Sequence, residues 1–168
     1  MAALVDDAPW QVCYHAAKDQ DAKDQDGGAM SAIETETLLR RYYDAFNRGD
    51  SDGMLACLAA DVVHDVNQGE RRIGKEAFRA FNARMAHCYA EKLENILVMS
   101  SADGARGAAE FNVVGTYKNT DEGLPAARGQ TYVLPAGAFF AIKDGQIARV
   151  TNYYNLTEWL MQVAGENT

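Results

Sequence analysis

A tyrosine and an aspartate in the first half of the chain have the types and spacing that chemistry requires. Tyr42 lies in a helix-like segment that ends at Gly49-Asp50, and Asp65 follows a short apolar run and His64. A helix followed by a strand can direct both side chains into one pocket. There the carboxylate can take a proton from a carbon beside a carbonyl, while the phenol donates to the oxygen that gains charge. We therefore take Asp65 as the candidate base and Tyr42 as the candidate donor.

Each of these residues also has an ordinary structural explanation. Tyr42 can be one more aromatic side chain on the buried face of its helix, and Asp65 can cap the turn that begins at Asn67. Neighbouring residues of a strand point to opposite faces, so His64 and Asp65 cannot both line one cavity. Either His64 lies on the surface, or the register is shifted and His64 takes the catalytic position.

Two further groups of charged residues can serve a pocket. Glu110 lies in a predicted strand and supplies a second carboxylate if the alternation turns it inward, although acids there usually face water. Arg71 and Arg72 follow a Gly-Glu turn and can bind an acidic group of a substrate, although a solvated basic turn is commoner. The sequence has no zinc-type Cys/His pattern, phosphate loop or nucleophile motif, so no metal and no cofactor are predicted.

Composition and charge exclude several classes of partner. The 168 residues carry a formal net charge of −8, and residues 1–30, with six Asp and two Lys, hold half of it. This balance argues against nucleic acid and against an anionic membrane surface, since both attract clustered Lys and Arg. Three widely spaced cysteines and the lack of an apolar run of about 18 residues predict a reduced, cytoplasmic protein without a membrane span.

The chain divides into an acidic leader, residues 1–30, and a single domain, residues 31–168. The leader repeats the pentapeptide Ala-Lys-Asp-Gln-Asp, a composition that predicts disorder. Helices are predicted from a Ser31–Glu34 capping box to Gly49 and over residues 52–59, 74–89 and 156–163, with a short extended piece over 62–66. Strands are predicted over residues 93–101, 105–117, 130–143 and 146–155, with Asp-Gly hairpin turns after the first and third.

Helices first and a strand meander afterwards predict an α+β fold, with three N-terminal helices packed against one curved antiparallel sheet. The motifs that carry a family resemblance are Arg41-Tyr42, Gly49-Asp50, Val63-His64-Asp65, Gly115-Thr116-Tyr117 and Phe139–Ile147. Over about Ile33–Val163 the chain resembles the ketosteroid isomerase and SnoaL-like polyketide cyclase superfamily. The resemblance implies a cone-shaped α+β barrel, like that of nuclear transport factor 2, and a homodimer formed through the exposed face of the sheet.

Residue by residue, the resemblance assigns roles to single side chains. Tyr42 matches the oxyanion tyrosine of the ketosteroid isomerases, and Asp65 matches their general base. Their second oxyanion donor, a protonated aspartate, should lie at Ala136-Gly137-Ala138, where this chain has no acid. Steroid isomerisation itself is therefore not expected.

The resemblance implies that the chain binds a hydrophobic small molecule with a carbonyl and moves a proton on it without a cofactor, as an isomerase, cyclase or dehydratase. The alternative is a binding or dimerisation module of the same fold that has no turnover. Side chains that could replace the missing donor or line the pocket are Tyr117, Tyr132, Asn152 and Tyr154. Hydration chemistry would need a second acid or a histidine in the cone, such as Glu110 or His64.

Overall fold

The computed structural model describes residues 30–67 and 69–165, so the predicted leader lies outside the described residues except for Met30. The described part contains four helices: α1 (Ala32–Asn47), α2 (Ser51–Ala56), α3 (Lys75–Cys88) and α4 (Leu156–Ala164). It contains six strands: β1 (Leu58–Val66), β2 (Arg72–Ile73), β3 (Tyr89–Ser100), β4 (Arg106–Tyr117), β5 (Thr131–Lys143) and β6 (Gln146–Tyr154). The predicted α+β class with three N-terminal helices is confirmed.

Helix α1 begins at the predicted capping box. The Ser31 hydroxyl accepts a hydrogen bond from the Glu34 backbone N–H, and the Glu34 carboxylate accepts one from the Ser31 N–H at 2.8 Å. The helix ends before Gly49, whose φ of 67° is a conformation that glycine adopts without strain. The inward face of the helix carries Leu38, Leu39, Tyr42, Tyr43 and Ala45. This face buries Tyr42 against the sheet.

The six strands form one mixed, open sheet in the order β2-β1-β6-β5-β4-β3. Strands β3 to β6 form the predicted antiparallel meander, but β1 runs parallel to β6. In the described part of the chain the two edge strands, β2 and β3, do not pair, so the expected cone does not close into a barrel. The sheet bends instead at bulges, such as the one between Glu94 and Leu97, where Asn95 has a φ of 55°.

The extended piece around His64 is longer than the sequence predicts. Strand β1 begins at Leu58 rather than at Val62, because α2 already ends at Ala56. Along β1 the alternation buries Val62 and His64 on the concave side of the sheet and turns Asp65 to the opposite side. The alternation along β1, with Val62 and His64 inward, decides which of the two neighbouring polar residues faces the interior.

The helices cover the concave face of the sheet and form its core in two clusters. One cluster lies beneath α1 and α2 and includes Leu39, Leu58, Phe78 and Val150. The second is aromatic and forms around Trp159 of α4, which packs edge-on against the rings of Tyr117 and Tyr132.

No helix within the described ranges is long and apolar enough to cross a membrane.

Candidate functional site

A cavity of about 370 Å³ lies between the concave face of the sheet and the helices, with residues from both core clusters in its wall. Its apolar lining includes Phe46, Phe78, Phe81, Phe111, Leu134 and Trp159. This volume falls in the range of small-molecule sites, which are mostly apolar with a few convergent polar groups. The polar side chains in this wall therefore determine which ligand groups the cavity can bind and which reactions it can support.

The structure brings together six of the ten side chains that the sequence singles out. Those that line the cavity are Tyr42, His64, Arg72, Tyr132, Asn152 and Tyr154. Those that do not line it are Asp65, Arg71, Glu110 and Tyr117.

Asp65 points away from the cavity, which corrects its expected place in the pocket. Its carboxylate accepts two hydrogen bonds from Arg71, at 2.7 and 3.0 Å, and lies 3.2 Å from the Arg149 guanidinium. The hydrogen bond from Arg71 is the main reason that the pKa of Asp65 is lowered, whereas a pocket base needs a raised pKa. The physical reason for the correction is the strand alternation, which gives the inward position to His64.

His64 is buried in the cavity wall and is neutral at pH 7. Its ring packs between Phe78 and Phe81, with centroid distances of 4.8 and 4.7 Å, and its Nε2 lies 3.1 Å from the Asn152 side-chain nitrogen. Burial in this aromatic setting, helped by the nearby charge of Arg72, lowers the pKa of His64 to about 4. Its other ring nitrogen, Nδ1, is buried without a hydrogen-bond partner among the described residues.

Tyr42 faces the cavity as the sequence predicts. Its ring makes edge contacts with Tyr43 and Phe140, at centroid distances of 5.3 and 6.0 Å. Burial raises the pKa of the Tyr42 phenol far above its ordinary value, so the hydroxyl keeps its proton. A protonated phenol in an apolar wall is suited to donate a hydrogen bond to a ligand oxygen.

Glu91 lies in the cavity wall, as do Asp121 and Glu122, and it is not among the residues predicted from the sequence. It lies on β3 between the buried residues Tyr89 and Leu93, and its carboxylate accepts a 2.5 Å hydrogen bond from the Tyr132 hydroxyl. Burial raises the pKa of Glu91, and the hydrogen bond from Tyr132 only partly offsets this effect. The alternation of Tyr89, Glu91 and Leu93 would place Glu91 on the inward face of a strand. The strand predicted from the sequence begins only at Leu93 and therefore leaves Glu91 out.

A glycine on β4 makes the contact between Glu91 and Tyr132 possible. Glu91, Gly115 and Tyr132 are cross-strand partners in one row over β3, β4 and β5. Because Gly115 has no side chain, the Tyr132 ring lies over it and reaches Glu91, and a β-carbon at Gly115 would overlap that ring. The close approach therefore depends on Gly115.

The loop between β4 and β5 closes the same end of the cavity through Asp121. The Asp121 carboxylate accepts a hydrogen bond from the Tyr89 hydroxyl at 3.1 Å and lies 3.4 Å from the Arg84 guanidinium. Its backbone N–H donates to the Tyr117 hydroxyl at 2.7 Å. Tyr117, expected to supply a hydrogen bond in the pocket, is fully buried behind the wall and instead holds this loop.

Glu110 also lies outside the cavity, so of the two alternatives for this residue the structure has the one in which it faces water. The inward positions of β4 are taken by Ala109 and Phe111, so the alternation leaves Glu110 exposed on the other face of the sheet. Glu110 borders only a shallow depression there, beside Pro135 and Tyr153. Across the described ranges no three His, Cys, Asp or Glu residues cluster in a way that could hold a metal ion.

A protein family model and several solved structures are similar to this chain. The family model of the SnoaL-like domain matches residues 39–150. A crystal structure from Pseudomonas putida KT2440, provisionally described as a polyketide cyclase, is 60% identical, covers 77% of this chain and 97% of its own, and superposes with a TM-score of 0.76. A second structure with that provisional description, from Xanthomonas campestris pv. campestris, is 57% identical, covers 78% and 97%, and gives a TM-score of 0.76.

A more distant structure supports the fold alone. An NTF2-like protein from Burkholderia xenovorans LB400 is 16% identical, covers 80% of this chain and 98% of its own, and gives a TM-score of 0.64. A search of curated proteins found no match to this chain.

Proposed function

The chain belongs to the SnoaL-like domain family, and from that membership we propose that it binds a small, largely apolar carbonyl compound and transfers a proton beside the carbonyl without a cofactor. One observation carries the proposal. Glu91, an acid with a raised pKa, shares an apolar cavity with the protonated phenol of Tyr42. The provisional description of the 60% identical structure as a polyketide cyclase agrees with a carbonyl-bearing substrate.

In the proposed reaction Glu91 replaces Asp65 as the base. Its carboxylate takes a proton from the carbon next to the carbonyl, and the electrons of the broken C–H bond form an enolate. The hydroxyl of Tyr42 donates a hydrogen bond to the enolate oxygen. In a cyclisation the enolate carbon bonds to a second carbonyl carbon, the π electrons of that carbonyl move to its oxygen, and this oxygen takes the proton from Glu91. In an isomerisation Glu91 returns the proton to a different carbon. A raised pKa suits this role because it makes the carboxylate a stronger base.

We expect Tyr42→Phe to slow proton transfer by about 100-fold, because the enolate oxygen loses a donor. Transfer can be followed by NMR in D₂O as the exchange of the C1 protons of 2-tetralone, a ketone small enough for the cavity. Tyr43→Phe is the matched control, since the Tyr43 hydroxyl is buried and has no partner among the described residues. Equal exchange rates for the wild type and Tyr42→Phe would remove Tyr42 from the mechanism.

We also propose that the protein forms a homodimer through the outer face of the sheet. Large apolar side chains stand exposed there, namely Leu97, Met99, Val133, Phe139 and Tyr153. A cluster of such side chains marks an interaction surface. Light scattering should give the mass of a dimer for the wild type and of a monomer for Phe139→Glu, which puts a charge at the 60% exposed Phe139. A monomeric wild type would rule out this interface.

A further inference from the structure

Arg72 is a cation in the cavity wall whose charge is not balanced by an acid. Its guanidinium lies 4.6 Å from the centroid of the Phe81 ring and donates a hydrogen bond to the Glu70 carbonyl oxygen at 3.1 Å. Within the described ranges Arg72 forms no ion pair, whereas Arg71 binds Asp65. A guanidinium has five N–H donors, so a ring face and one carbonyl leave most of them without a partner.

His64, the neighbour of Arg72 in the sheet, brings no negative charge to this part of the cavity wall. Arg72 on β2 and His64 on β1 are cross-strand partners, so their side chains lie on the same face. His64 is 1% exposed, and its Nδ1 has no hydrogen-bond partner in the described part of the chain. Of the acids close to this pair in sequence, Asp61 and Glu70 are exposed and outside the cavity wall, and Asp65 faces the other side of the sheet, where two arginines hold it. The β1–β2 end of the cavity therefore contains the Arg72 cation and, among the described residues, no carboxylate.

Carboxylates lie at the other end of the cavity, where Arg84 pairs with Asp121 and Glu91 has no cationic partner among the described residues. Glu91 lies on β3, and Asp121 lies in the loop that packs against Tyr89 of that strand. Arg72 lies on the edge strand β2 and Glu91 on the edge strand β3, so the two groups come from opposite edges of the sheet. An anionic group of a ligand would be attracted to Arg72 and repelled by Glu91, so this polarity would orient the ligand.

We propose that the natural ligand is an acid as well as a carbonyl compound, and that its anionic group, such as a carboxylate, binds Arg72 at the β1–β2 end. The carbon to be deprotonated is then directed toward Glu91. This inference rests on the proposed function, since it takes the cavity as the ligand site. Planar guanidinium groups pair with carboxylates through two parallel hydrogen bonds, which makes a carboxylate the best match.

The test compares two probes of similar shape, 2-naphthoate and the uncharged 2-acetylnaphthalene, by titration calorimetry on the full chain. The wild type should bind 2-naphthoate about tenfold tighter, because a charge-assisted hydrogen bond contributes to one probe only. Arg72→Gln should remove this preference and leave the affinity for 2-acetylnaphthalene unchanged, which also shows that the variant is folded. Arg71→Gln, the same change at a residue outside the cavity wall, should keep the preference.

The outcomes separate this inference from the proposed function. If the wild type binds both probes equally, or if the preference survives in Arg72→Gln, the anion site is ruled out while the cavity remains a ligand site. If neither probe binds the wild type, the cavity is not a ligand site, and the proposed function fails together with the anion site.

Discussion

Replacement of Glu91 by Gln should slow the exchange of the 2-tetralone protons by about 1000-fold, the middle of the range for loss of a general base. Glutamine has nearly the same shape, and its amide oxygen can still accept the hydrogen bond from Tyr132. The packing around Tyr132 and Gly115 should therefore persist, and the loss should fall on proton transfer rather than on binding of the ketone.

The pH dependence of exchange gives an independent check on Glu91. A base must be ionised to act, so the wild-type rate should rise with pH through a midpoint above the ordinary value of 4.5 for a glutamate, because burial raises the pKa of Glu91. Glu91→Gln should lose this rise. Glu110→Gln is the matched control, an acid on a strand of the same sheet that lies outside the cavity. An unchanged rate in Glu91→Gln would leave the cavity without its proposed base.

The features that the sequence predicted well are those set by contacts between near neighbours. The Ser31–Glu34 capping box spans one helical turn, and the Asp103-Gly104 and Asp144-Gly145 turns are hairpin signals of two residues. Asp144 and Gly145 both have positive φ, as a tight hairpin between twisted strands requires. Each of these signals lies within a few residues and does not depend on the rest of the chain. The order of helices and strands could therefore be predicted from the sequence.

The face on which a side chain lies was harder to predict, because it depends on which alternate residues of a strand face the core and, near a strand end, on where the strand begins. On β1 the inward residue is His64 rather than Asp65, and on β3 a start at Leu93 hid the inward position of Glu91. A shift of one residue in a strand moves every side chain to the other face. For this reason the sequence indicated a pocket and one of its phenols, Tyr42, but placed the acid incorrectly.

The surroundings of the acids depend on contacts between distant parts of the chain. Asp65 is held by Arg149 because β1 pairs in parallel with β6, and no local pattern predicts that pairing. Tyr132 reaches Glu91 only because Gly115 stands between them in register. The tertiary fold therefore lowers the pKa of Asp65 and raises that of Glu91, and these two shifts determine which carboxylate can act as a base.

Acid should destabilise the folded protein through His64 in particular. Burial lowers the pKa of His64 from 6.5 to about 4, so between these values the unfolded chain binds a proton that the folded chain does not. The stabilisation from the neutral, buried ring is fully present above pH 6.5 and is lost as the pH falls toward 4. A difference of this size corresponds to about 3 kcal/mol of unfolding free energy, since each pKa unit contributes about 1.4 kcal/mol.

Urea denaturation at several pH values between 4 and 7 can measure this effect against His64→Gln, which has no proton to bind in this range. The wild type should lose about 3 kcal/mol more than the variant over the interval, and the contribution of Glu91 should cancel because both proteins contain it. His87→Gln is the matched control, because it makes the same substitution at an exposed residue of α3. Parallel stability curves for the wild type and His64→Gln would mean that His64 is not a buried neutral ring in the folded protein.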